Sequence, residues 1–175
     1  PVRAELVGSI MATAPGEGCY VPLRHGGGKY VGDLLDAGTP APVQVPVDQA
    51  IDLLKPLFES PGVLKIGHNL KYDLTILARE GIAVAPIDDT MVLSFVLDAG
   101  LHGHGLDELA ELHLDTPTIH FDDVAGKGKN QITFDQVRLA KALHHAAEDA
   151  DSTLRLHRLP QHRLPPQKLV TLKSS

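Results

Sequence analysis

The sequence predicts a mixed α/β domain, a small sheet flanked by helices, on three observations. Two short β-favourable runs joined by a turn open the chain. A strand runs into a helix across residues 63–77. A long helix with apolar residues at three- and four-residue steps lies near the far end. The 175 residues amount to about one domain.

Each element has a local reason. Residues 5–11 (ELVGSIM) and 18–23 (GCYVPL) are β-favourable, and the Ala14-Pro15-Gly16-Glu17-Gly18 turn between them predicts an antiparallel hairpin. Residues 25–47 are rich in Gly and Pro and read as an extended surface loop. Asp48 then opens a helix through Ile51, Leu54 and Leu57, bent by Pro56. Residues 63–66 (VLKI) form a short buried strand, after which Asn69 is expected to cap a helix carrying Leu70, Leu74 and Leu77 and stopping near Gly81. Residues 87–90 lead into a helix at 91–100, and residues 106–114 (LDELAELHL) form another. Residues 121–133 have no clear period and are expected to be a connecting loop. Leu139, Leu143, Ala147, Ala150 and Leu154 mark a long helix reaching about residue 159, and a proline-rich tail follows it.

Composition excludes several classes. Apolar residues are 43% and charged residues 22%, a globular balance with no run long enough to span a membrane. The net charge of −6 leaves no broad basic surface, so contact with nucleic acid has to be local or metal-mediated. Cys19 is the lone cysteine, which rules out an internal disulfide or a Cys-based zinc site and fits a reducing cytoplasm.

Two segments carry chemistry. In Ile66-Gly67-His68-Asn69-Leu70-Lys71-Tyr72-Asp73, Asp73 sits near the carboxyl end of a strand, where α/β active sites form. In His144-His145-Ala146-Ala147-Glu148-Asp149-Ala150-Asp151, His145 and Asp149 are four apart and share one helix face. Either segment alone is also compatible with a solvated acidic surface. His102, His104, His113 and His120 surround turns without a paired helical spacing and read as dispersed surface side chains.

Three ordered blocks carry a resemblance: KIGHNLKYD (65–73), AGKGKNQITF (125–134) and AAEDADSTLRLH (146–157). With LLKPL (53–57), DTM (89–91) and the opening hairpin, the chain resembles the 3′-to-5′ proofreading exonuclease domain of bacterial DNA polymerase I, a family A polymerase, within the RNase H-like DEDD exonuclease superfamily. The resemblance implies an RNase H-like mixed sheet and hydrolysis at the 3′ end of single-stranded or frayed DNA. It also implies four carboxylates that hold two divalent ions, Mg²⁺ or Mn²⁺. By motif, Asp73 and Asp149 are two of those metal ligands and catalytic residues. Asn69, Tyr72 and Phe121 match positions beside the bound strand, and Lys127 and Lys129 match a basic loop near the DNA.

Two departures qualify the match. The family's Asp-x-Glu pair belongs upstream of Pro1, on a first strand that is central in the RNase H-like sheet. The resemblance therefore implies a domain lacking that strand and half of its metal ligands, with cleavage weakened or absent. The family's third-motif Tyr, which orients the attacking water, is replaced by His145. His144 instead reproduces the spacing of the superfamily's histidine branch, and either ring can act as general base. Residues 1–160 are thus expected to form the exonuclease-like domain, with 161–175 a connector toward a polymerase domain of the same longer chain. A non-catalytic scaffold or DNA-contacting module of a family A polymerase stays open, as does a stand-alone nuclease of the histidine branch.

Overall fold

In the computed structural model, residues 5–25 and 43–159 are described; the expected connector at 161–175 and most of the Gly/Pro-rich stretch lie outside them. The opening hairpin pairs β1 (Gly8–Ala14) with β2 (Glu17–Pro22) in antiparallel register, Ile10 opposite Tyr20 and Met11 opposite Cys19. Gly16 takes φ 78° in the turn, the left-handed region that glycine enters at least cost. Strand β1 starts and stops three residues later than its β-favourable run suggests, and β2 one residue earlier.

Helix α1 (Val47–Glu59) contains Pro56 as expected. Strand β3 (Lys65–Gly67) leads to α2 (Lys71–Arg79), and here the expected cap is corrected. Asn69 adopts φ 57° and makes no side-chain cap. Its N–H instead donates to Asp89 Oδ1 at 3.0 Å, and the Leu70 N–H donates to Asp89 Oδ2 at 2.8 Å. One carboxylate on a neighbouring element thus anchors the backbone just ahead of α2, whose first turn has no side-chain cap.

Residues Ile87–Asp89 lead into a helix as expected, but they also form a strand the sequence did not reveal, β4, parallel to β3 with Ile66 opposite Asp88. Its last residue, Asp89, is also the N-cap of α3 (Thr90–Asp98), accepting from the N–H groups of Met91 and Val92. Helix α4 (Leu106–Leu114) has the expected bounds. The expected loop at 121–133 is partly helical: α5 (Phe121–Ala125) and a 3₁₀ turn at Gly128–Asn130 occupy it. The segment is too short and polar for periodicity to reveal a helix.

Helix α6 (Leu139–Arg158) is the spine. It packs against β1, β2 and β3, and against α3, α4 and α5. Gly18 on β2 permits a close approach, since a Cβ there would lie 2.8 Å from Ala147 Cβ. The Gly16 N–H donates to Asp151 Oδ1 at 2.7 Å, and His157 Nε2 bonds Asp88 Oδ2 at 2.7 Å, so α6 is tied to both sheets. Ala125, Val137 and Ala142 form a buried cluster covered by Tyr20, Val124, Ile132 and Phe134. Among the described residues the strands make two separate two-stranded sheets, β1-β2 and β3-β4. No helix among the described residues is long and apolar enough to cross a membrane.

Candidate active site

Asp149 and His145 occupy one face of α6, as their spacing requires. His145 Nε2 stands 3.6 Å from Asp149 Oδ2. The His145 ring is buried, and Phe121 and Phe134 border it at centroid distances of 6.2 and 6.3 Å while lying 6.2 Å from each other. His145 Nδ1 is buried without a hydrogen-bond partner. His144, one position earlier, points to solvent.

Burial pushes the Asp149 carboxyl up from 3.8 to about 6; His145 pulls it down, and the carboxylates of Asp107 and Glu148 add to the rise. A carboxylate whose ionised form is disfavoured by desolvation and neighbouring negative charge marks a place where a cation would be welcome. Neighbouring groups fix the surroundings: the Ile119 N–H donates to Glu148 Oε1 at 2.8 Å, and His120 Nδ1 bonds Asp107 Oδ2 at 2.7 Å. Sequence reasoning missed Asp107 and Phe134. Asp107 comes from α4 and no local spacing links it to Asp149, while Phe134 lay inside a matching block without drawing notice.

Asp73 lies in the first turn of α2. Desolvation raises its pKa, and the nearby Asp89 charge adds to that rise. Its electrostatic neighbour is thus Asp89, whereas those of Asp149 are His145, Asp107 and Glu148. Among the described residues neither carboxylate gathers with two further donors. The donor type suits Mg²⁺ or Mn²⁺, but the donor count does not complete a site for either ion.

Asn69 and Tyr72 are both exposed beside Asp73. Phe121 opens α5 and is 39% exposed next to the His145 ring. Lys127 and Lys129 are exposed on the following loop, with Lys127 Nζ 3.8 Å from Asp122 Oδ2.

Residues 1–161 match the 3′-5′ exonuclease family along nearly the whole chain. The chain belongs to that family. The exonuclease domain is also 46% identical over 172 residues to a DNA polymerase I of Rhizobium leguminosarum, covering 93% of this chain and 17% of that protein. It is 43% identical over 158 residues to DNA polymerase I of Pseudomonas aeruginosa, covering 89% of this chain and 16% of that protein. The corresponding protein of Chloroflexus aurantiacus is 35% identical over 167 residues, covering 94% and 16%. The chain therefore spans about a sixth of the length of these curated relatives.

Proposed function

We propose that this domain removes nucleotides from the 3′ ends of single-stranded or frayed DNA by metal-assisted phosphodiester hydrolysis, as the proofreading unit of a DNA polymerase I. The observation that carries this reading is Asp149, a carboxylate held near pKa 6 beside the buried His145 ring. Asp149 and Asp73 are this chain's contribution of oxygen ligands. Bound Mg²⁺ or Mn²⁺ would supply an activated water and charge neutralisation at the scissile phosphate.

The chain's own residues do the remaining work. His145, in the position of the family's Tyr, orients the attacking water, and its 3.6 Å approach to Asp149 holds the ring in place. The exposed face of Phe121 offers a stacking surface for the terminal base, with Phe134 behind it. Asn69 and Tyr72 flank the strand, and Lys127 and Lys129 meet its phosphates. In this reading one further strand bearing the Asp-x-Glu pair completes an RNase H-like sheet; among the described residues β1-β2 and β3-β4 are separate sheets, both packed on α6.

The test uses a 5′-labelled single-stranded oligonucleotide with Mn²⁺, and compares this chain with a version carrying an Asp-x-Glu strand ahead of β1. Stepwise shortening from the 3′ end that Asp149→Ala abolishes, and His145→Ala slows far more than His144→Ala, supports the reading. No shortening in either form, or shortening indifferent to Asp149→Ala, defeats it in favour of a non-catalytic scaffold or DNA-contacting module. Sensitivity confined to His144→Ala indicates a nuclease of the histidine branch.

A further inference from the structure

The junction of α3 and α4 gathers a second set of side chains with ligand chemistry. Asp98 ends α3, His102 lies in the turn that follows, and His113 sits in the last turn of α4. One ligand atom from each lies within 4.8 Å of the other two, and all three residues are partly buried. Three of the four histidines that read as dispersed in the sequence are therefore clustered: the His102 ring is 5.2 Å from that of His104 and 5.8 Å from that of His113.

The orientation of His102 points to a ligand. Its Nδ1 lies 2.5 Å from the Gly103 carbonyl oxygen, which can only accept, so the ring proton sits on Nδ1. Nε2 is the ring atom turned toward Asp98 Oδ2, 3.9 Å away, too far for a hydrogen bond. Metal-binding histidines share this arrangement, one nitrogen tied to a carbonyl and the other free for the ion. The turn is held by the Gly103 N–H, which donates to Glu108 Oε1 at 2.8 Å. His104 is turned aside, its Nδ1 2.9 Å from Ser94 Oγ. A cavity of about 130 Å³, bordered by Ser94, Leu97, Asp98, Leu109 and His113, lies alongside and leaves room for water ligands.

The geometry points to a binding site for a transition-metal dication of the Zn²⁺ class, formed by Asp98, His102 and His113 and separate from the Asp73 and Asp149 carboxylates. Two imidazoles and one carboxylate suit Zn²⁺, Co²⁺ or Ni²⁺ and disfavour Mg²⁺, which prefers oxygen alone. Donors around tetrahedral zinc lie roughly 3.3 Å apart, so the three side chains close by rotation about their own torsions. The ion ties the end of α3 to the last turn of α4, and water from the cavity fills its open position.

Isothermal titration of the whole chain with ZnCl₂, over excess Mg²⁺ to occupy oxygen-only sites, tests this. One Zn²⁺ per chain is expected. His102→Asn and His113→Asn should each weaken binding by about tenfold or more, while His104→Asn and Asp149→Asn keep it. Zn²⁺ should also raise the Tm of the unmodified chain and leave that of His102→Asn unmoved; this variant alters a turn residue, so its fold is expected to survive. Absence of Zn²⁺ uptake overturns the proposal. So does uptake equal in the His102 and His113 variants, or uptake lost with Asp149→Asn.

Discussion

Asp149 makes the folded state sensitive to pH in a direction opposite to that of most carboxylates. Its pKa rises from 3.8 to about 6 on folding, so between those values the folded chain keeps a proton that the unfolded chain has shed. Stability therefore falls as pH climbs from about 4 to about 6 and stays lower above that. At roughly 1.4 kcal/mol per tenfold change in proton affinity, the full displacement is worth at most about 3 kcal/mol. The side chain is 33% exposed and His145 returns part of the cost, so about 1–2 kcal/mol is the expected penalty at pH 7.5. Asp149→Asn removes the charge with little change of shape and should stabilise the metal-free domain at pH 7.5 by that amount. At pH 4, where the carboxyl is already protonated when folded, the gain should vanish. Urea unfolding of both proteins at the two pH values measures it. A variant that is no more stable at pH 7.5, or equally shifted at both pH values, refutes the claim that Asp149 is held against its ionised form.

Two further substitutions probe the scaffold. Asp89→Ala deletes the acceptor for the N–H groups of Asn69, Leu70 and Met91, and should cost about 2–4 kcal/mol in urea unfolding; a loss below about 1 kcal/mol contradicts its bridging role. Gly18→Ala sets a Cβ 2.8 Å from that of Ala147 and should cost about 1–3 kcal/mol. Gly62→Ala, whose nearest neighbour would be Ser60 Oγ at 3.8 Å, serves as the near-neutral control, and equal effects of the two would refute the close approach of β2 to α6.

Elements with a strong period or clear punctuation are legible in the sequence. Helix α4 falls where its apolar spacing places it, α6 runs to within a residue of its expected end, and Pro15-Gly16 marks the hairpin turn. The misses share one cause, the dependence of short segments on distant partners. Three residues, Ile87–Asp89, are a strand only because β3 lies beside them. Asn69 has the composition of a cap, yet it takes a left-handed conformation and its own N–H is held by Asp89, twenty residues on. Within the candidate site, the His145–Asp149 pair follows from helical spacing, but the Asp107 charge arrives through the packing of α4 on α6. The histidines at 102 and 113 lie eleven apart in sequence, one in the turn before α4 and one in its last turn, so no helical spacing links them and tertiary packing alone brings them together.

The central claim is that Asp73 and Asp149 serve one cation-dependent centre, and Mn²⁺ titrated into the isotope-labelled domain tests it most directly. Paramagnetic broadening should reach the amide signals around Asp73 and those around Asp149 at the same low Mn²⁺ concentration, and Asp149→Asn should weaken both together. Broadening confined to one of the two segments, or loss at Asp149 that leaves Asp73 unchanged, would show two unrelated acidic sites and contradict a shared centre.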